Sequence, residues 1–142
     1  MIDKREFYHG VILNRLLEDG RCQRVQKHEF GYVVNDTVFI FLKYSTKSRS
    51  PWRFSFSSDE IKRLNLLAGK FQKIIVTMVC GGDGICAISW REASSFLNDK
   101  AGWISARRKF NEQYGVAGQA GKLRGKVPLN EWPLIIFETN YD

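Results

Sequence analysis

The stretch Lys43-Tyr44-Ser45-Thr46-Lys47-Ser48-Arg49-Ser50-Pro51-Trp52-Arg53 interleaves four cations with hydroxyls and two aromatic rings. Those residue types suit a polyanion: Lys43, Lys47, Arg49 and Arg53 meet phosphates, and the hydroxyls add hydrogen bonds. Tyr44 or Trp52 would stack on a base. Two further basic groups follow, Arg107-Arg108-Lys109 and Lys122-Leu123-Arg124-Gly125-Lys126. Strand alternation puts Lys122, Arg124 and Lys126 on one face, and the two groups are expected to form facing arms of a basic hairpin.

Other chemistries find less support in the residues. Ser45, Ser48, Ser50, Ser55, Ser57 and Ser58 have no glycine-flanked nucleophile elbow around them. His28 beside Glu29 has the composition of a general base, but a single histidine in an alternating segment is expected at the surface. Gly81-Gly82-Asp83-Gly84 lacks the lysine and hydroxyl of a phosphate-binding loop, and Asp-Gly between apolar runs predicts a hairpin turn instead. The only histidines are His9 and His28, so no zinc-ligand spacing exists. Cys22, Cys80 and Cys86 are odd in number and widely spaced, which predicts reduced thiols.

The elements that would position these residues can be read from periodicity and capping. Asp3 and Glu6 make a capping box before a helix carrying Phe7, Val11, Ile12, Leu16 and Leu17, which Gly20 ends. Arg21 to Val34 reads as one or two strands, and Asn35-Asp36-Thr37 as a turn. Val38-Phe39-Ile40-Phe41-Leu42 is apolar throughout, as in a central strand buried on both faces. Trp52-Arg53-Phe54-Ser55-Phe56 alternates like a short strand. Ser57 and Glu60 form a second capping box, before a helix with Ile61, Leu64, Leu67 and Ala68 on its apolar stripe. Ile74 to Val79 is another buried strand, paired across the Gly-rich turn with Ile85 to Ile88. Ser89 and Glu92 suggest a third capping box, with Phe96 and Leu97 turned inward. Trp103 to Arg108 reads as a strand, Tyr114 to Gly121 as turn-rich, and Leu134 to Phe137 as a final strand.

The 142 residues fit one domain, and 44% hydrophobic content is enough for a core. No apolar run approaches the roughly 20 residues of a membrane-spanning helix. No apolar leader follows Met1, so the expectation is a cytoplasmic protein without a membrane partner. The net charge of +7 is local. Residues 99–126 hold seven Lys or Arg against Asp99 and Glu112, giving +5. Between Asp36 and Asp59 four cations face no acid, giving +4, so the remaining residues carry −2. Clustered cations of this kind attract phosphates through their field and through counterion release.

Helix, three strands, helix, strand is an order that resembles the core of the PD-(D/E)XK nuclease superfamily. The resemblance spans about residues 3 to 80. It implies a mixed α/β (α+β) fold, a central sheet flanked by helices, in the order α-β-β-β-α-β-β-α. Residues 1–98 would form the nuclease-like core and 99–142 a basic, β-rich extension of the same domain. In that superfamily one strand carries an acid, and the next carries an acid, one residue, and a lysine. Phe41-Leu42-Lys43 stands where the triplet belongs, with Glu29 twelve positions before Phe41 across the turn. Glu6 or Glu18 would supply the helix carboxylate of some members. The resemblance implies Glu29, Asp36 and Lys43 as catalytic residues, with Glu29 and Asp36 holding Mg2+ or Mn2+. The second acid is missing, because Phe41 occupies its place. Asp36 is the nearest substitute in sequence.

The expected function is therefore binding of nucleic acid, DNA or RNA, on a nuclease-like scaffold. Metal-dependent cleavage is implied by the resemblance, and Phe41 implies that it is altered or lost. The alternative is a protein-interaction or regulatory module on the same scaffold, self-associating or bound to another protein, with no nucleic-acid partner.

Overall fold

The computed structural model describes residues 1–98 and 100–138, which form two β-sheets and four helices in a mixed α+β architecture. Helix α1 (Lys4–Glu18) starts at the Asp3/Glu6 capping box, where both reciprocal bonds form. Such a cap contributes about 1 kcal/mol. Strands β1 (Val25–His28), β2 (Gly31–Val34) and β3 (Val38–Ser45) follow as an antiparallel meander. Its second turn places Asn35 and Asp36 at φ 49° and 62°, a conformation that these two residue types tolerate better than most.

Strand β4 (Trp52–Phe56) leaves this sheet for the second one. Helix α2 (Ser58–Ala68), with its full Ser57/Glu60 capping box, then carries the chain across to β5 (Lys73–Cys80). Strand β5 runs parallel to β3, and β6 (Gly84–Ser89) returns antiparallel to it. The first sheet thus has the order β1-β2-β3-β5-β6. Helix α3 (Trp90–Ser94) follows. There Ser89 accepts the Glu92 N–H, and only this half of the expected capping box forms.

The second sheet is β4-β7-β8-β9, with β7 (Gly102–Arg107), β8 (Gly115–Gly118) and β9 (Gly121–Lys122) all antiparallel neighbours. Alternation decides its faces. Trp52, Phe54, Phe56, Ile104, Ala106 and Val116 point inward, packing with Phe39, Phe41, Val76 and Met78 of the first sheet and with Ile61 and Leu64 of α2. The opposite face of the first sheet, through Ile40, Ile75, Val79 and Ile85, packs on Ile12 and Leu16 of α1 and on helix α4 (Glu131–Phe137). The central strands are covered on both faces, as their unbroken apolar runs predict.

Three expectations are corrected. Leu134 to Phe137 is helical, not a strand. Four apolar residues cannot separate strand from buried helix by period alone, and here Ile135 and Ile136 pack with Trp132 against α1 and the first sheet. In α1 only Ile12 and Leu16 are buried; Phe7, Val11 and Leu17 face outward. The two basic groups of the C-terminal part are not facing hairpin arms: β8 lies between β7 and β9, and β9 is only two residues long. Among the described residues no helix is long and apolar enough to cross a membrane. Asp99, the first acid of the basic segment, lies outside the described residues.

Candidate nucleic-acid interface

The outward residues of the second sheet follow from the same alternation that buries Trp52, Phe54 and Phe56. Arg53 and Ser55 of β4 point away from the core, and Arg53 stands opposite Ser105 of β7. Trp103 is opposite Ser55, and Arg107 is opposite Gly115 of β8. Lys122 of β9 is opposite Ala117. Lys126 lies over Gly115, where a Cβ would come 3.4 Å from its Nζ. The four strands contain no Asp or Glu. Among the described residues Arg53, Arg107, Lys122 and Lys126 form no ion pair. The Arg53 guanidinium instead stacks 4.1 Å from the Trp103 ring centroid. Small residues, Ser55, Ser105, Gly115 and Ala117, keep the strip between these cations low.

The two basic segments of the sequence therefore meet in space. Besides the Arg53–Ser105 pairing, the Arg108 N–H donates to Ser50 Oγ at 3.0 Å. Arg49 and Lys109, both exposed, belong to these joined segments. Lys47 is engaged by its own loop, its Nζ donating to the Pro51 carbonyl at 2.9 Å. Arg124 is exposed in the irregular chain after β9. Arg108 does not belong to the free set. Its guanidinium is paired with both carboxylate oxygens of Asp83, which also accepts from the Tyr114 hydroxyl at 2.6 Å. That pairing, before anything else, holds the Asp83 carboxyl below the usual carboxylate range.

The two proposed stacking aromatics are placed elsewhere. Trp52 is 2% exposed, and its indole N–H donates to the Lys47 carbonyl at 2.8 Å. Its ring belongs to the core because β4 turns that edge inward. Tyr44 lies on the α1 side, stacked on Tyr8 with centroids 4.7 Å apart. Lys43, one residue earlier, points to the opposite face of the same sheet. The half-buried ring available on the basic strip is Trp103, which the sequence placed only at the start of a strand.

The residues implied as catalytic do not converge. Lys43 Nζ donates to both carboxylate oxygens of Glu60, at 2.7 and 2.9 Å. Glu60 Oε1 also accepts the Ser57 N–H at 2.9 Å, as the reciprocal half of the α2 cap. The acid beside Lys43 thus comes from α2. Asp36 precedes the first residue of β3, so about 16 Å of strand lies between it and Lys43. It pairs with Arg24 at 3.5 Å. Glu29 sits in the β1–β2 turn, not on a strand. It lines a cleft of about 190 Å³ with Arg5, His9, Lys27 and Leu42, and Lys43 is not part of that cleft. His28 is in the same cleft, its Nδ1 accepting from the Phe30 N–H. The Phe41 ring is buried, stacked on Phe30 at 4.7 Å and tilted against Phe56. Among the described residues no three His, Cys, Asp or Glu side chains form a group able to hold a metal ion. Glu29 and Asp36 therefore do not fit a shared Mg2+ or Mn2+.

The three thiols are unpaired with one another. Cys80 stands opposite Gly84 and Cys86 opposite Met78 across the β5–β6 hairpin. Burial pushes the Cys80 thiol up to about 12 and raises the Cys86 thiol well above its ordinary value, so both are packing residues, not nucleophiles.

Glu60 is the residue at this site that the sequence assigned only a capping role. Its contact with Lys43 spans seventeen positions and two different elements, which no local spacing encodes. Comparison with protein-family models, with curated proteins and with solved structures finds no match to this chain.

Proposed function

We propose that the protein binds nucleic acid across the outer face of the second sheet, on a nuclease-like scaffold that does not cut. The observation that carries this reading is the strip of Arg53, Arg107, Lys122 and Lys126 on strands that contain no acid, with Glu60, already paired with Lys43, at its Trp103 edge. Unpaired cations on a flat face hold phosphates by counterion release, without needing a pocket. The half-exposed Trp103 beneath Arg53 adds a stacking surface at one end.

The scaffold part of the reading is supported by element order. A helix, an antiparallel three-stranded meander and a crossover helix lead to a strand parallel to the third, as in the PD-(D/E)XK core, but β4, which the expected order lacks, stands between the meander and the helix and pairs in the second sheet. The absence of cutting is supported by Phe41, buried among aromatic rings where an acid would be needed, and by Lys43, whose ammonium is held by Glu60.

Fluorescence anisotropy with labelled DNA and RNA oligonucleotides across a salt series tests the reading. Affinity should fall steeply as salt rises. A variant with Lys122, Arg124 and Lys126 all replaced by alanine should flatten the slope of log affinity against log salt by about 2 to 3 on a duplex, if each cation meets one phosphate. No measurable affinity at low salt would overturn the proposal.

A further inference from the structure

Beyond the end of β7 the chain makes a tight excursion before returning as β8. At its tip Phe110 is 89% exposed, the most exposed aromatic residue among those described. Single exposed apolar side chains are common on protein surfaces, but the backbone that presents this one is tightly held. Asn111 takes a left-handed φ of 64°, and the Glu112 N–H closes the turn on the Lys109 carbonyl at 3.0 Å. The Arg108 guanidinium donates from inside the turn to the carbonyls of Lys109 and Glu112, at 3.4 and 3.3 Å. Arg108 is itself fixed by Asp83 from the β5–β6 turn. The partly buried Asp83–Arg108–Tyr114 network thus holds the backbone that displays Phe110.

Next to the ring is a hollow of about 400 Å³ between this turn and residues 128–130. Pro128 and Leu129 line one side of it, and the amide-bearing residues Asn111, Gln113 and Asn130 line it together with Arg108 and Glu112. A ring face, an apolar wall and amide donors and acceptors are what a planar heterocycle with a polar edge requires. The charge around it favours an anionic chain. Arg107 ends β7 three residues before Phe110 and points onto the basic strip, and Lys109 is exposed beside it. Glu112 is the one acidic side chain at the tip.

We propose that Phe110 and this hollow receive an unpaired nucleobase of the bound strand, stacked on the ring, at the Arg107 end of the phosphate-binding strip. This inference rests on the nucleic-acid reading above. It adds that the protein recognises bases as well as phosphates, and therefore prefers strands whose bases are free.

The test compares a labelled single-stranded oligothymidylate with an abasic oligomer of the same length and charge, by anisotropy, for the wild-type protein and for Phe110→Ala and Phe110→Trp. The wild type should favour the oligomer with bases by about 10-fold, the usual scale for one stacked base. Phe110→Ala should lose that preference, keep its affinity for the abasic strand and keep its salt slope. Phe110→Trp should retain the preference. Because the side chain is exposed, the melting temperature of both variants should match the wild type. If the wild type binds both oligomers equally, or if Phe110→Ala keeps the preference, the inference is overturned while phosphate binding stands. If the wild type binds neither at low salt, the nucleic-acid reading fails and this inference with it.

Discussion

Lys43 and Glu60 lock strand β3 to the start of helix α2. The ammonium meets both carboxylate oxygens, and the same carboxylate caps the helix by accepting from Ser57 N–H. The Lys43 ammonium also lies 5.4 Å from the ring centroids of both Phe41 and Phe56. A lysine so held is part of the packing between the two sheets. Among the described residues Glu60 is the one carboxylate with which it forms an ion pair.

Lys43→Met should therefore act on stability. The pair is about three-quarters buried, so its loss should cost on the order of 1 to 2 kcal/mol, much of it from leaving Glu60 unpaired. Thermal unfolding should show this as a drop of several degrees. Incubated with Mg2+ or Mn2+, the wild-type protein should leave supercoiled plasmid and labelled RNA intact. Metal-dependent cutting that disappears in Lys43→Met, measured where the variant is still folded, would restore Lys43 to a catalytic role.

How much of this was legible in the sequence depends on whether the deciding interaction was local. Helix α1, helix α2, the turn at Asn35-Asp36 and the hairpin at Asp83-Gly84 were readable, because capping boxes and turn residues act within a few positions. The burial of β3 was readable from five consecutive apolar residues, and the faces of β4 from strict alternation. What could not be read was pairing at a distance. Nothing near Trp52 to Phe56 says that β4 joins β7 and not β3, yet that step brings Arg53 beside Ser105 and unites the two basic segments. Leu134 to Phe137 has strand-like composition and becomes helical because Trp132, Ile135 and Ile136 fill space over α1. The Glu60 contact and the exposure of Phe110 are likewise tertiary facts.

Asp83 joins three segments, and its removal should be felt beyond its own turn. Asp83→Ala leaves a half-buried Arg108 and the buried Tyr114 hydroxyl without their acceptor. The expected cost is about 2 kcal/mol, or roughly 7 °C in a chain of this size. Because the folded-state pKa of Asp83 is held below the ordinary value, its stabilisation is complete above the ordinary carboxylate range. It is lost as pH falls through the lowered value. The wild type should thus lose more stability than Asp83→Asn on acidification below about pH 4. Equal acid sensitivity in the two proteins would mean that the pair contributes nothing.

Glu131 should produce the opposite dependence. It begins helix α4, where burial, before the nearby Glu138 and Glu92 carboxylates, pushes its pKa up to about 7, with Lys73 acting against the shift. Lys73 is tied to the far end of the same helix, its Nζ donating to the carbonyls of Ile135 and Glu138 at 2.8 and 2.6 Å. The folded protein therefore holds a proton on Glu131 that the unfolded chain releases near its ordinary value of 4.5. The sign follows from linkage: the extra stability is complete below the unfolded value and is lost as pH rises through about 7. Glu131→Gln, which keeps the shape and removes the charge, should raise the melting temperature at pH 8 and change it little at pH 4. A variant that melts at the same temperature as the wild type at both pH values would show that Glu131 is charged and solvated in the folded protein, and that α4 docks without a retained proton.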